Sequence, residues 1–294
     1  MRRPETRAAY AFISPWILGF VFFTAGPVLA TLVLSMTSYD VLTRPEWIGF
    51  GNYRDAMENP DTGHALKNTA TYALMYVPSS MALGLALALL LQRAGRATGL
   101  MRTLMYLPVM TPPVATAVLF LLLLNGQNGL VNEVLGSVGL PTPYWTSDPD
   151  WMKTGIVILS LWSVGSVTII LYAALQEVPE ALIEAARIDG AGALRRFWHV
   201  TLPMVSPALL FTTVVATIAS MQLFTEAYTM YFGTATTNAP DEVLFYVIYL
   251  FREAFSFFHM GYASALAWML FVVILVITMA QLWLSRRLVF YRSD

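Results

Sequence analysis

Long apolar stretches without a charged residue dominate this chain of 294 residues. A bilayer core about 30 Å thick requires about 20 apolar residues in a helix, and each stretch is long enough to supply them. The runs free of Asp, Glu, Lys and Arg cover residues 8–39, 68–92, 103–132, 154–176, 197–225 and 254–285. The pattern therefore predicts an all-α integral membrane protein with six membrane-spanning helices.

Turn residues and residues typical of the membrane interface narrow these runs to six predicted spans. We expect them to form one transmembrane domain over residues 1–294. The third span contains Pro108, Pro112 and Pro113, which predict either a packing kink or a functional hinge. The predicted spans are residues 11–34, 71–91, 105–124, 156–175, 208–228 and 265–284.

Composition excludes several other classes of protein. Hydrophobic residues make up 57% of the chain and charged residues 12%, which does not fit an ordinary soluble domain. The net charge of −1 gives no reason to expect a nucleic-acid partner. Cysteine is absent, which removes disulfides and thiol catalysis. The three histidines, His64, His199 and His259, lack neighbours at metal-ligand spacing, so we expect no metal and no cofactor.

The distribution of charge predicts the orientation in the membrane. With a cytoplasmic N-terminus, 11 of the 18 acidic residues fall in outside loops. The same assignment places 12 of the 17 basic residues inside, and the positive-inside rule then puts both termini in the cytoplasm. These inside residues are Arg2, Arg3, Arg7, Arg93, Arg96, Arg102, Arg187, Arg195, Arg196, Arg286, Arg287 and Arg292.

The cytoplasmic loop at residues 176–207 is amphipathic and predicts two short helices. Pro179 suits the first turn of one helix, and Gly190 suits the position just after its end. Ala181, Leu182, Ala185, Ala186 and Asp189 share a face of mostly small residues, which would let another backbone approach closely. An interfacial helix lying on the membrane is the alternative, but four acidic residues in this stretch disfavour contact with anionic lipid.

The same loop contains a motif with fixed spacing. It is Glu-Ala-Ala, three intervening residues, Gly, nine intervening residues, Val, one intervening residue and Leu-Pro. Four other stretches of the chain add to the resemblance. In this motif and these stretches the chain resembles the permease subunits of binding-protein-dependent ABC importers, in the MalF-like sugar permease branch. The branch usually has Ile where Val200 stands and a Gly-Gly-Pro turn where this chain has Phe232 to Asp241. The matching stretches are WIGFGNY at 47–53, LKNTATY at 66–72, NGLVNEVLGSVGL at 128–140 and MGYASALAWMLF at 260–271.

The resemblance implies a MetI-like type I importer fold in the inner or plasma membrane. Its expected partners are membrane lipid, a second MalF- or MalG-type permease that forms a heterodimer with this chain, two ATP-binding subunits and an extracytoplasmic substrate-binding protein. Neither Lys67 nor Lys153 follows a glycine, so the chain has no phosphate-binding loop, and we expect it not to be an enzyme. The resemblance assigns coupling to the ATPase to Glu184, Ala185, Ala186, Asp189, Gly190, Leu202 and Pro203.

A polar strip at the end of the fifth predicted span is the candidate substrate pathway. Treated as one helix, the span places Glu226 near the outer boundary, with Gln222 one turn deeper and Ser220 deeper still. Trp162, Phe224 and Tyr228 would offer rings to the apolar face of a sugar. The equal alternative is that Glu226 marks only the water interface, because depth alone does not separate the two roles.

The substrate class follows from the resemblance and from the charge pattern together. The sugar branch favours a mono- or oligosaccharide, while glycerol phosphate or another polyol is the alternative. A phosphate would require buried Arg or Lys, and the predicted spans contain neither. An ion-coupled secondary transporter is a more distant alternative, since it needs ionisable groups at mid-membrane. A membrane-bound enzyme would need a cluster of acids, histidines or cysteines, which the sequence does not show.

Overall fold

The computed structural model describes residues 3–233 and 241–288, with side chains described between residues 9 and 286 of those ranges. Residues 234–240, most of the stretch that departs from the sugar branch, lie outside the described residues, as do Arg2 and Arg292. The regular secondary structure of the described chain is helical apart from one antiparallel pair of two-residue strands, Thr37–Ser38 and Glu46–Trp47. The predicted all-α class is therefore confirmed, with this small hairpin as an addition.

Four unbroken helices in the described chain are long and apolar enough to cross a membrane, and two bent pairs bring the number of spans to six. They follow the order of the predicted spans, and we number them first to sixth. The unbroken spans are the first, Ala9–Leu34; the second, Pro60–Arg93; the fifth, Ala193–Met221; and the sixth, Met260–Arg286. The bent spans are the third, Gly95–Met110 with Pro113–Leu123, and the fourth, Pro149–Leu161 with Gly165–Gln176.

Shorter elements connect or interrupt these spans. The first span contains a wider π-helical turn at Val21–Ala25, between Arg3–Phe20 and Gly26–Leu34. The fifth begins as Ala193–Arg196 and passes through a similar turn, Phe197–Thr201, into Leu202–Met221. The other short helices are Gly51–Glu58, Leu130–Ser137, Glu180–Ile188, Thr225–Tyr231, Asp241–Val243 and Tyr246–Phe251, the last running into a turn at Arg252–Ser256.

The third span is bent by 97° at its prolines. Thr111 and Pro112 take extended backbone conformations, with ψ angles of 136° and 133°, between the two helical halves. Proline lacks the N–H that would continue the helical ladder, and it disfavours helical geometry in the residue before it. The prolines thus produce the bend that they predict, and residues 105–124 do not form one straight helix.

The fourth span is bent by 54° between Leu161 and Gly165, in a stretch without proline. Residues 156–175 are therefore not the single helix that the sequence predicts. A Cβ atom at Gly165 would overlap the carbonyl oxygen of Met105, so the second half of this span lies directly against the backbone of the third. We attribute the bend to this close packing, which local sequence does not encode.

The fifth span ends at Met221, and the prediction of one helix over residues 208–228 is wrong beyond that point. Gln222 to Phe224 are not helical, and a separate helix, Thr225–Tyr231, follows. That helix packs against the second half of the third span. No proline or glycine marks the break, so tertiary packing has overridden the helical preference of these residues.

Residues 3–63 together with Tyr249–Val273 form one compact unit. Buried Asn52 donates two hydrogen bonds of 2.9 Å from Nδ2, to the carbonyl oxygens of Ser35 and Thr37. Gly261 has no side chain where the Thr37 carbonyl approaches it. Asn52 lies in the stretch at 47–53 and Gly261 in the stretch at 260–271, so two stretches that carry the family resemblance meet here in a packing role.

Residues 64–248 together with residues 274–288 form the second unit, which contains the two sites described below. One of its buried clusters joins the second, fourth and fifth spans through Ala88, Leu91, Leu171, Leu175 and Val205. In lipid such helices associate through close van der Waals packing, which small residues at the contact favour. The cluster lies next to the loop between the fourth and fifth spans, because Val178 and Leu202 pack against it.

Candidate functional site

A cavity of 420 Å³ lies where the third, fourth and fifth spans are interrupted, and we call it the break cavity. Each interruption contributes residues to its wall, and the second span adds two tyrosines. Non-helical backbone at membrane depth is tolerated where it lines a cavity, and all three breaks satisfy this condition. The polar and aromatic residues of its lining are Tyr72, Tyr76, Thr111, Thr116, Ser160, Trp162, Ser163, Ser166, Ser220, Gln222, Phe224, Thr225 and Glu226.

Hydroxyl groups and aromatic rings make up most of this lining. The Tyr72 hydroxyl donates to Ser160 Oγ at 2.8 Å, and the hydroxyls of Thr111 and Thr116 are 3.0 Å apart. The rings of Tyr72 and Tyr76 stack with centroids 5.6 Å apart, and Trp162 remains 42% exposed. Glu226 is the one Asp, Glu, Lys, Arg or His among the described lining residues. The cavity thus combines hydrogen-bonding groups, flat apolar surfaces and a single acid.

The structure brings together five of the six residues predicted for the substrate pathway. Glu226, Gln222, Ser220, Trp162 and Phe224 all line the break cavity. Their roles in transport stay predictions, since their position alone does not establish contact with a substrate.

The predicted helical relation between Gln222 and Glu226 is wrong, because the chain is not helical from Gln222 to Phe224. The two side chains reach the same cavity through the break instead of along one helix face. Tyr228 is not part of the lining. Its ring stacks on the ring of Phe224 with centroids 5.2 Å apart, so Tyr228 contacts a residue that lines the cavity.

Sequence reasoning missed the hydroxyl groups contributed by the second, third and fourth spans. Ser160, Ser163 and Ser166 recur at intervals of three residues across the break of the fourth span, and this was the available signal. The tyrosines of the second span and the threonines of the third gave no comparable pattern. Their approach to Glu226 depends on contacts between residues far apart in the chain.

The loop between the fourth and fifth spans forms the second candidate site. Its first helix, Glu180–Ile188, begins one residue after Pro179, which therefore precedes the helix instead of occupying its first turn. The helix ends as predicted at Gly190, whose φ of +78° lies in the left-handed region that glycine favours. The N–H of Ala191 then bonds the carbonyl of Ala186 at 2.9 Å, which satisfies a terminal acceptor of the helix.

The seven residues assigned to ATPase coupling do not form one surface. Glu184, Ala185, Asp189 and Gly190 are exposed, and Ala186 is half-buried beside them. Leu202 and Pro203 are also half-buried, but Leu202 packs against the buried cluster of the second, fourth and fifth spans. The motif therefore has an exposed helical part and a packed part that connects this helix to the spans.

The exposed part of this loop also presents apolar side chains. Ile188 is 86% exposed, Leu194 72% and Trp198 57%. Exposed apolar residues grouped with polar ones are typical of protein interaction sites and of membrane interfaces. The exposed helix and these side chains together define the coupling surface, which comprises residues 180–190, Leu194 and Trp198.

Residues 80–290 match the family model described as binding-protein-dependent transport system inner membrane component. The chain is 38% identical to the probable ABC transporter permease protein YesP of Bacillus subtilis (strain 168), over 99% of this chain and 94% of YesP. It is 32% identical to the lactose transport system permease protein LacF of Rhizobium radiobacter, over 94% of this chain and 93% of LacF.

A solved structure gives the same fold. It is a bacterial ABC transporter involved in the import of the acidic polysaccharide alginate, with a TM-score of 0.82. The match covers 96% of both chains at 24% sequence identity. The six-span arrangement with bent third and fourth spans is therefore compatible with the architecture of an importer permease.

Proposed function

Because the chain belongs to the binding-protein-dependent transport system inner membrane component family, we propose that it forms half of the pore of an ATP-driven importer for an uncharged mono- or oligosaccharide. The chain is a membrane permease subunit of an ABC importer, and relatives of this kind are transport components without catalytic activity. We place both termini in the cytoplasm, where 12 of the 17 basic residues would then lie.

The composition of the break cavity carries the proposal for the substrate. Sugar hydroxyls both donate and accept hydrogen bonds, and the serine, threonine, tyrosine, glutamine and glutamate side chains of the lining offer matching groups. The ring of Trp162 provides a flat apolar surface for the C–H face of a sugar. The described lining contains no Arg or Lys to pair with a phosphate, which disfavours glycerol phosphate. LacF, named for lactose transport, is a relative that supports the same class.

We propose that the coupling surface docks into a groove of the ATPase subunit. Its exposed helix has a defined end at Gly190, and the packed Leu202 joins the following helix to the cluster of the second, fourth and fifth spans. Movement of the docked helix would then reach the spans through packed side chains. The break cavity lies on the same fourth and fifth spans, so closure of the ATPase has a physical route to the pathway.

The chain on its own should not transport substrate. We expect uptake into liposomes only when it is reconstituted with a second permease, two ATP-binding subunits and the substrate-binding protein. Liganded binding protein should then stimulate ATP hydrolysis. Uptake by the purified chain without ATP-binding subunits would contradict the assignment of the energy source to a partner.

Glu226→Gln and Gln222→Ala should each lower the rate of sugar uptake. Gln222→Ala removes a hydrogen-bonding amide, whereas Glu226→Gln keeps a hydrogen-bonding group and removes its charge. A hydrogen bond to a charged group exceeds a neutral one by about 1–1.5 kcal/mol, so Glu226→Gln should lower the rate roughly fivefold to tenfold. The measurement is initial uptake of radiolabelled substrate in the reconstituted transporter, with the affinity of the binding protein for sugar determined separately.

Glu46→Gln is the matched control, because Glu46 is exposed on a short strand and does not line the cavity. It should transport at the wild-type rate. Wild-type uptake and an unchanged substrate range in both Glu226→Gln and Gln222→Ala would remove these residues from the pathway. They would then mark only the water interface.

A further inference from the structure

A second cavity lies beside the coupling surface, and we call it the loop cavity. It has a volume of 690 Å³ and contains arginines from three elements. Arg93 ends the second span, Arg187 lies on the helix Glu180–Ile188, and Arg196 is near the start of the fifth span. Gln92 and Thr201 add two neutral polar groups. The cavity is thus a basic site assembled from residues distant in sequence.

The positive charge of the loop cavity is not neutralised within the described chain. Between residues 9 and 233 and between 241 and 286, no carboxylate oxygen lies within 4 Å of any of the three guanidinium groups. Arg196 donates one hydrogen bond, from Nη1 to the Ala191 carbonyl at 2.7 Å, and keeps further N–H groups for another partner. Arginine presents its donors in a planar fork that suits phosphate, so the site is complementary to a phosphate group.

Apolar side chains form the rest of the wall. Leu175 is buried, Ile183 and Phe197 are half-buried, and Leu194 is 72% exposed at the rim. A small hydrated anion gains nothing from such a surface, whereas an acyl chain does, at about 0.8 kcal/mol for each buried methylene. The cavity lies at the ends of the second and fourth spans, and the end of a membrane-spanning helix is where lipid headgroups are expected. Basic pockets between spans on the cytoplasmic side are suited to anionic lipid headgroups.

We propose that the loop cavity binds an anionic phospholipid of the cytoplasmic leaflet, with its phosphate held by Arg93, Arg187 and Arg196. Its acyl chains lie on the apolar wall formed by residues such as Leu175 and Phe197. The inference goes beyond the transport function, and it uses the orientation proposed above only to choose the leaflet. The bound lipid connects the helix Glu180–Ile188, which we call the coupling helix, to the second and fifth spans, because one arginine comes from each.

Binding of short-chain lipids to the assembled, detergent-purified and delipidated transporter tests the proposal. Dioctanoyl phosphatidylglycerol should bind, and dihexanoyl phosphatidylglycerol should bind more weakly because fewer methylenes are buried. Dioctanoyl phosphatidylcholine should bind at least about tenfold more weakly than the anionic lipid of equal chain length. The affinity for inorganic phosphate, measured in the same way, distinguishes a lipid site from a site for a free anion. Equal affinity for phosphate and for both chain lengths would overturn the lipid assignment.

The variant R93Q should bind dioctanoyl phosphatidylglycerol about fivefold more weakly, since it removes one of the three charges, each worth about 1 kcal/mol. Arg93 is exposed and lies outside the coupling surface, so the variant should still assemble. R195Q is the matched control, because Arg195 is adjacent to Arg196 but does not line the cavity, and its affinity should equal that of the wild type. Equal loss in R195Q and R93Q would overturn the proposal. So would absence of binding to the assembled transporter, which would assign the loop cavity to the ATPase interface.

Discussion

Replacing Glu184 with lysine should abolish substrate uptake while the chain still inserts and folds. Glu184 is exposed on the helix Glu180–Ile188, so the substitution costs little folding energy. In the proposed complex the carboxylate faces the ATPase groove, and a charge reversal at a hydrogen-bonded interface costs about 2–5 kcal/mol. Association with the ATP-binding subunit should weaken by roughly 30-fold or more. The measurements are uptake, ATPase co-purification and the thermal stability of the permease.

Gly190→Val should have the same effect by another route. The φ of +78° at Gly190 is strained for a β-branched residue by about 1–3 kcal/mol, so the end of the coupling helix would rearrange. No atom lies within 4 Å of a Cβ at this position, so backbone conformation alone accounts for the effect.

Each of these changes has a control in the same loop. Glu177→Lys makes the same charge reversal outside the coupling helix. Gly192→Val introduces the same side chain where φ is −66° and where a Cβ also meets no neighbour within 4 Å. Both control variants should transport near the wild-type rate. Wild-type uptake by Glu184→Lys and Gly190→Val would instead remove the exposed part of the motif from ATPase coupling.

Gly165→Val should strongly destabilise the folded chain, so that the amount of folded permease and the transport rate both fall. A Cβ at this position overlaps the carbonyl oxygen of Met105 and lies 3.4 Å from Cα of Tyr106. The obstacle is backbone, which cannot move aside as a flexible side chain does. We expect a loss of about 3 kcal/mol, the upper end of the usual cost of overpacking, because two spans must separate. The measurement is the amount of folded permease recovered from membranes and its thermal unfolding midpoint.

Gly99→Val provides the comparison for this prediction. Gly99 lies in the helix Thr98–Tyr106, the same half of the third span that Gly165 contacts, and a Cβ there has no atom within 4 Å. Gly99→Val should not lower stability, because valine has a slightly higher helix propensity than glycine. Near-normal recovery of Gly165→Val would show that the third and fourth spans do not pack as closely as the structure describes.

The sequence alone determined the features that depend on local chain properties. The length of an apolar run decides whether a helix can cross the bilayer, so the order of the six spans was readable from the charge-free stretches. Proline removes a backbone donor, and Pro108, Pro112 and Pro113 therefore marked the bend of the third span. The end of the coupling helix at Gly190 was also predictable from a local property, because few residues other than glycine accept the positive φ found there.

Only the tertiary structure decided where the fourth and fifth spans are interrupted and what the break cavity contains. Neither Trp162 to Val164 nor Gln222 to Phe224 includes a proline or glycine, so no local rule ends a helix there. Contacts between distant residues do so: Gly165 lies against the backbone at Met105, and Thr225–Tyr231 packs on Pro113–Leu123. These contacts place Tyr72 and Glu226 in one cavity although they lie 154 positions apart, and no periodicity along the chain predicts that pairing.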